Sequence, residues 1–336
     1  GLELSRGGGG GGGVGGGGGC LLFSSGMAAA VAVFHALRPG DTAIIPEVMY
    51  WGLRLWAQNY CEAFGIKLHI IPMHGNDTAA LEGLLAASPP DNRTLVWLET
   101  PSNPTWTIVG IAAFAAASHR TPNTVVCVDS TAATPVLTQP LSLGADIVMH
   151  SATKYLNGHS DIVAGALVCN QEGVGGEVWD RVKKDRGLAG AVIGTFDAWL
   201  LQRGMRTLFV RVRQQCQSAL RIATELDKHP KVTVLYPGLP THPEHLIAKS
   251  QMEGGFGGMM SLRIAGGKQA SVDFAANLRV FKLATSLGGV ESLCEHRGSI
   301  EGPTSPVPDD LLRLSVGIES AEDLVRDLLE AADKVP

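Results

Sequence analysis

Grouped basic residues are scarce in this chain of 336 residues, whose formal net charge is −5. Only the stretch 181–186 is locally basic, whereas a protein that tracks a phosphate backbone needs clustered Lys and Arg to displace counterions. Nucleic acid is therefore not an expected partner, and the stretch reads as a solvated helix face. Long apolar runs are missing too: the longest mostly apolar segment, 108–117, is far short of the ~20 residues a membrane-spanning helix needs. No membrane partner is expected. No secretory signal is visible at Gly1, and with no Met there the chain can start inside a longer one. Cys20, Cys61, Cys127, Cys169, Cys216 and Cys294 are dispersed, without a C-x-x-C pair. That pattern points to reduced core thiols in a cytoplasmic protein rather than to a metal site or a disulfide framework.

What is present suits a soluble, well-packed protein: 45% of residues are hydrophobic and 18% charged. A chain of this length buries most of its unfolded surface, usually as one large domain plus a smaller one. Glycine is the anomaly, with 42 residues in all and an almost unbroken run over 7–19 interrupted by Val14. The run satisfies a G-x-G-x-x-G pattern trivially, and without a preceding strand it signals no dinucleotide site. It reads either as a flexible linker, since each Gly costs a helix about 1 kcal/mol relative to Ala, or as positions standing in for unidentified residues. The motifs below favour the second reading.

From Leu21 onward, apolar runs alternate with helical patterns. Helices are expected over 27–37, 50–64, 78–87 and 111–118, and strands over 42–45, 67–72, 94–99, 124–129 and 145–150. Strands apolar on both faces, alternating with helices, predict an α/β fold with a mainly parallel sheet. After about Gly190 the rhythm changes to one long helical stretch, 196–229, followed by short strands over 232–236 and 258–264. This predicts a large domain over 1–200 and a smaller α+β domain over 201–336.

Ligands in open parallel sheets gather at the carboxyl ends of strands. Lys154 lies just past such an end among small residues, where loss of solvation lowers a lysine's pKa and suits it to form a Schiff base. Asp129 ends a neighbouring strand, and a buried carboxylate needs a cation or strong hydrogen bonds to stay charged; a protonated pyridine nitrogen would serve. Ser25-Gly26-Met27 opens a helix whose N–H groups and dipole suit a phosphate, with Ser151 and Thr153 as added hydroxyl donors. Each has an ordinary explanation when taken alone: an exposed lysine, a turn residue, a helix cap.

Together they sit in a recognisable series. Ser151-Ala152-Thr153-Lys154-Tyr155-Leu156-Asn157-Gly158-His159-Ser160-Asp161 is joined by Phe23-Ser24-Ser25-Gly26-Met27-Ala28-Ala29, Glu99-Thr100-Pro101-Ser102-Asn103-Pro104-Thr105 and Val128-Asp129-Ser130-Thr131. Further along come Arg203-Gly204-Met205-Arg206-Thr207-Leu208, Tyr236-Pro237-Gly238-Leu239-Pro240 with His242-Pro243, Ser286-Leu287-Gly288-Gly289-Val290-Glu291-Ser292-Leu293 and Arg313-Leu314-Ser315-Val316-Gly317-Ile318-Glu319. From Leu21 to its end the chain resembles the Cys/Met-metabolism family of pyridoxal phosphate (PLP) enzymes, the trans-sulfuration group of cystathionine γ-synthase, γ-lyase and β-lyase.

The resemblance implies PLP fold type I with pyridoxal 5'-phosphate as cofactor and a small-molecule amino acid as substrate. It further implies a homotetramer built as a dimer of dimers, with active sites at the dimer interface. By the same resemblance Lys154 holds the cofactor and moves protons, and Asp129, with Thr131 in the same motif, keeps the pyridine nitrogen protonated. Gly26, Met27, Ser151 and Thr153 bind its phosphate, and Tyr50 stacks on its ring and exchanges a proton near the leaving group. Arg313, helped by Ser286 and Asn103, grips the substrate carboxylate. A bond between carbon and sulfur at Cγ of a cystathionine- or homoserine-type amino acid is the expected target. A β-lyase or an O-acylhomoserine sulfhydrylase is the alternative within the class, and a non-catalytic scaffold subunit the alternative outside it. Three departures stand out: Tyr50-Trp51-Gly52 where the family has Tyr-Gly-x-Thr, Thr285 where many γ-enzymes carry Glu, and no Tyr-x-Arg motif before Leu21. The segment before Ser24 is a helix with a short turn in the family. His242-Pro243-Glu244-His245 is not expected to bind metal, because Pro243 interrupts the helix such a pair needs, and His159 and Ser160 are expected to order the lysine loop.

Overall fold

The apolar runs of the first half assemble side by side into one sheet. The computed structural model describes residues 19–170, 173–302 and 307–335, so the glycine run over 7–18 lies outside the described residues. Strands β1 (Gly19–Phe23), β2 (Thr42–Pro46), β3 (Lys67–Ile71), β4 (Thr94–Glu99), β5 (Thr124–Asp129), β6 (Ile147–His150) and β7 (Gly165–Cys169) pair in the order β1-β7-β6-β5-β4-β2-β3. β2 to β6 run parallel, while β7 is antiparallel to β6 and β1 to β7. Residues in β2, β4 and β5 are buried throughout, which is why these strands read as continuous apolar runs.

Alternation along the strands divides their side chains between two cores. Ala43, Ile45, Leu95, Trp97, Val125 and Cys127 pack against α1 (Gly26–His35) and α2 (Trp51–Phe64). Ile44, Val96, Leu98, Val126 and Val128 face helices Ala79–Ala86 and Ile111–Ser118 on the other side. Extending the alternation by one step puts Glu99 and Asp129 on the α1 face, where the register also pairs them directly.

The second half builds a five-stranded sheet from β8 (Val232–Leu235), β9 (Met259–Ile264), β10 (Lys282–Leu283), β11 (Leu293–His296) and β12 (Leu311–Ser315), ordered β10-β11-β12-β9-β8. Helices Leu208–Leu226, Gly267–Ala276 and Ala321–Lys334 cover it. A further apolar cluster, including Tyr155, Leu208, Val212, Met259 and Leu287, joins the two sheets around the loop that follows β6.

Several expected elements appear at their predicted bounds, among them 94–99, 111–118 and 124–129. Others differ. The stretch 196–229 is two helices, Thr195–Met205 and Leu208–Leu226. The N–H groups of Arg206 and Thr207 bond three residues back, to the carbonyls of Arg203 and Gly204, which tightens the turn and ends the first helix. At that point Gly204 lies against the Asn157 backbone, so closely that a Cβ would come 2.3 Å from its carbonyl oxygen. The residues directly before Ser24 form strand β1 rather than the helix and turn of the family, because β7 offers them a free edge in register from Gly19 to Phe23. Five of the cysteines are buried, but Cys20 is exposed because it lies on this edge strand. Among the described residues, no helix is long and apolar enough to cross a membrane.

Candidate active site

A cavity of about 240 Å³ opens at the carboxyl ends of β4, β5 and β6, lined by Gly26, Tyr50, Glu99, Asn103, Asp129 and Lys154 among others. This is somewhat below the roughly 300–1,000 Å³ that holds drug-sized ligands, and it suits a compact one. Met27, Thr131, Ser151 and Thr153 also line it. Ser286 and Arg313 reach its edge through hydrogen bonds to Lys154 and Asn103.

The start of α1 forms an anion cradle. Ser25 has extended backbone and its hydroxyl accepts the Ala28 N–H at 2.9 Å, a helix cap that leaves the first amides pointing outward. Among the described residues no acceptor takes the N–H of Gly26 or Met27. Gly26 is required by space: a Cβ there would lie 2.7 Å from Ser151 Oγ. That contact also places the Ser151 hydroxyl beside the helix N-terminus. The Thr153 hydroxyl donates to the Ala164 carbonyl at 3.1 Å and accepts the Ala164 N–H at 3.0 Å, so it would have to turn to serve a ligand.

Two carboxylates face the cavity floor. Asp129 Oδ1 accepts both the N–H and the hydroxyl of Thr131, at 3.0 and 2.5 Å. Thr131 in turn accepts the Ser151 N–H at 2.8 Å, so its hydroxyl buttresses both neighbours. Among the described residues no donor reaches Asp129 Oδ2. Burial pushes the Asp129 carboxyl up, against the Thr131 bonds and the pull of His150. Glu99 accepts the N–H of Tyr50 on one oxygen and of Asn103 on the other, each at 2.8 Å. Burial first, and then the Asp129 charge beside it, pushes Glu99 up to about 8, against those two N–H groups and the attraction of Arg297.

The opposite wall is cationic. Lys154 Nζ donates to Ser286 Oγ at 2.9 Å, and burial, then the Arg313 charge, lowers its pKa to about 8 despite the attraction of Glu295. Ser286 holds φ +82, an uncommon conformation for a residue with a side chain. The Ser286 carbonyl accepts Arg313 Nη2 at 2.8 Å, and Asn103 Oδ1 accepts Nη1 at 3.2 Å. Glu295 pairs with Arg297 at 2.7 Å and also with Arg313. Tyr50 immediately precedes α2 with 46% of its surface exposed, and its ring folds over Gly52, whose Cβ would come within 3.0 Å of it.

Some of this the motifs did not disclose. Arg211, on the helix Leu208–Leu226, reads in sequence as part of a polar helix face. It is buried, and it donates to the carbonyls of Tyr155 and Gly204 at 3.0 and 2.9 Å. The chain after Lys154 wraps its guanidinium, and a Cβ on Gly158 would lie 1.9 Å from Nη1. Gln215, one turn further on, donates to the carbonyls of Gly289 and Val316. Glu99 has one signal in the sequence, an acid closing an apolar strand. His242 and Glu244 lie 3.5 Å apart, and the His245 ring meets the Pro237 carbonyl; among the described residues no cluster of three or more potential ligands is arranged for a metal.

A helix N-terminus with open N–H groups, a carboxylate with one oxygen awaiting a cationic donor and a desolvated lysine share one cavity at a parallel sheet's carboxyl edge. This donor set fits pyridoxal phosphate, matching in turn its phosphate, its ring nitrogen and its aldehyde, and it defines a PLP-dependent α/β enzyme of fold type I. The profile of the Cys/Met metabolism PLP-dependent enzymes matches residues 13–333, and the chain belongs to that family. It is 46% identical over 316 residues to cystathionine gamma-synthase of Mycobacterium tuberculosis, covering 92% of this chain and 78% of that one. It is 41% identical over 321 residues to cystathionine gamma-lyase of Dictyostelium discoideum, covering 93% and 80%. The crystal structure of cystathionine gamma synthase from Xanthomonas oryzae pv. oryzae, in complex with aminoacrylate and cysteine, superposes with a TM-score of 0.87 at 39% identity, covering 94% and 81%. The protein is thus a PLP-dependent enzyme of sulfur amino-acid metabolism.

Proposed function

We propose that this enzyme makes or breaks the carbon–sulfur bond at Cγ of cystathionine- or homoserine-type amino acids. The observation that carries the site assignment is the convergence of Lys154, Asp129 and the α1 N-terminus on one cavity; the γ-synthase and γ-lyase relatives support the choice of Cγ. The N–H groups of Gly26 and Met27, with the Ser151 and Thr153 hydroxyls, hold the phosphate. Asp129 would keep the ring nitrogen protonated, while Thr131 fixes its Oδ1. Pyridoxal phosphate, when bound, supplies an aldehyde that captures the substrate amine and a ring that spreads negative charge from the substrate carbons.

Lys154 would hold the cofactor and carry protons between substrate carbons, a task suited to an amine whose pKa has been brought down to about 8. Ser286 steadies that amine. Arg313 and Asn103, already bonded to each other, grip the substrate carboxylate, for which a guanidinium offers a paired geometry. Tyr50, which lines the cavity, would cover the ring and exchange a proton near the leaving group. Thr285, exposed beside Ser286, offers no acid for the distal amino group of the substrate.

Residues 1–200 serve as the cofactor domain and 201–336 as the small domain. The functional unit is a cytoplasmic homotetramer; the exposed Leu188, Phe196 and Trp199 support a subunit contact, which sedimentation of the purified protein would test. For the activity, the loaded enzyme is incubated with cystathionine, and separately with O-acylhomoserine plus cysteine. Cysteine with 2-oxobutyrate from the first, or cystathionine from the second, is the expected result. Pyruvate with homocysteine would assign β-elimination and overturn the reading.

A further inference from the structure

We infer that Glu99 is a positioning residue for this reaction, one buried carboxylate that ties the segment carrying Tyr50 to the segment carrying Asn103. The inference rests on the roles proposed above for those two residues. Glu99 is the last residue of β4, its Cα set by the ladder to β5 in direct register with Asp129, so its carboxylate projects from a rigid element. Its two oxygens take one N–H each at 2.8 Å, from residues 49 positions upstream and four downstream. No covalent or helical constraint links those donors. The turn is fixed further by the Ser102 hydroxyl, which donates to the Glu99 carbonyl at 2.6 Å.

The choice of acid is costly. A carboxylate that is 5% exposed beside a second carboxylate loses hydration and meets like charge. A glutamine would avoid both, but its amide presents only one acceptor and would turn N–H donors against one of the two backbone N–H groups. The need for two acceptors at one point explains the acid. Asp327 offers the contrast: it accepts the N–H groups of Arg279, Val280 and Phe281, all from one short segment remote from the cavity, and so only closes a loop. Both of Glu99's donors belong to residues that line the cavity, as does Glu99 itself. Through this carboxylate a displacement of the ring-covering segment is passed to the segment that holds the substrate carboxylate.

The test compares Glu99→Gln, Glu99→Asp and Glu99→Ala with Tyr50→Ala and Asn103→Ala, following kcat, KM, the dissociation constant of added pyridoxal phosphate and the visible circular dichroism of the bound cofactor. Loss of one of two buried hydrogen bonds, leaving an unpaired N–H opposite the new amide, predicts a fall in kcat/KM of roughly 10-fold for Glu99→Gln. The fall should be shared between KM and kcat, with a weakened dichroism band. Glu99→Asp, which keeps two acceptors on a shorter stem, should recover part of both. In the double variant, Glu99→Ala should add less to the KM of Asn103→Ala than it adds to that of the wild type. Wild-type KM, kcat and dichroism in Glu99→Gln, or effects of Glu99→Ala and Asn103→Ala that multiply in full, would overturn the inference while leaving the site reading intact. Tyr50→Ala and Asn103→Ala variants with wild-type kinetics would instead remove the site reading, and this inference with it.

Discussion

The two walls of the cavity treat buried charge in opposite ways. On the parallel-sheet side, Glu99 and Asp129 stand in register, and their hydrogen bonds come from N–H groups and one hydroxyl. On the small-sheet side, Glu295 lies between Arg297 and Arg313, and Lys154 stands close enough to feel both Glu295 and Arg313. Burying ions without partners is expensive, and breaking a buried pair costs more than replacing it. On the first wall burial and the neighbouring acid disfavour charge on both carboxyl groups, and a cationic ring beside Asp129 would restore it. The second gathers Lys154, Arg297 and Arg313 around Glu295, the sign of charge that suits a substrate carboxylate. Cofactor and substrate would each bring to its wall a group of the opposite sign.

The largest effect is expected at Lys154, which stands between the walls. Lys154→Ala should lower kcat by about 10⁴-fold, the upper end of what a positioned acid or base contributes. A steady-state assay measures it, and a loss below tenfold would separate Lys154 from proton transfer. On the cationic wall, Arg313→Lys keeps the charge but loses the planar fork, so KM should rise by about 10- to 100-fold with kcat nearly unchanged. An unchanged KM would show that the carboxylate is gripped elsewhere.

On the anionic side the expected effect is smaller. Gly26→Ala puts a Cβ 2.7 Å from Ser151 Oγ and should weaken cofactor binding by about 10-fold, the loss of one good hydrogen bond or its equivalent in displacement. Equilibrium titration with pyridoxal phosphate measures this, and the melting temperature of the cofactor-free variant should also fall, because Ser151 must give way. The smallest effect is a shift in pH. Below about 8 the Lys154 amine is protonated and cannot add to an aldehyde; above it the amine is free. The rate at which cofactor-free protein takes up pyridoxal phosphate should therefore rise with pH to a plateau with its midpoint near 8. A midpoint near 10.5, the ordinary lysine value, would show that the site does not desolvate the amine.

The anionic wall was more legible in sequence than the cationic one, for a physical reason. β4 and β5 are buried runs that end in Glu99 and Asp129, so the change from apolar to acidic marks both the strand end and the cavity edge. β7 gave no such mark, since a short apolar run reads alike in parallel and antiparallel pairing. The cationic wall depends on contacts between distant positions, Glu295 with Arg313 and Arg211 with the carbonyls after Lys154, which follow from how the sheets meet and leave no local pattern. The helix break at Arg206-Thr207 was hidden likewise, because its cause is the close approach of Gly204 to Asn157.

In the proposed site Lys154 holds the cofactor while Asp129 and the α1 N-terminus orient it. Borohydride reduction of the coloured enzyme, followed by proteolysis and mass spectrometry, tests this most directly. The expected result is a pyridoxyl group on the peptide containing Lys154, with none recovered from Lys154→Ala. A label on a different lysine, or a wild-type protein that takes up no pyridoxal phosphate, would contradict it.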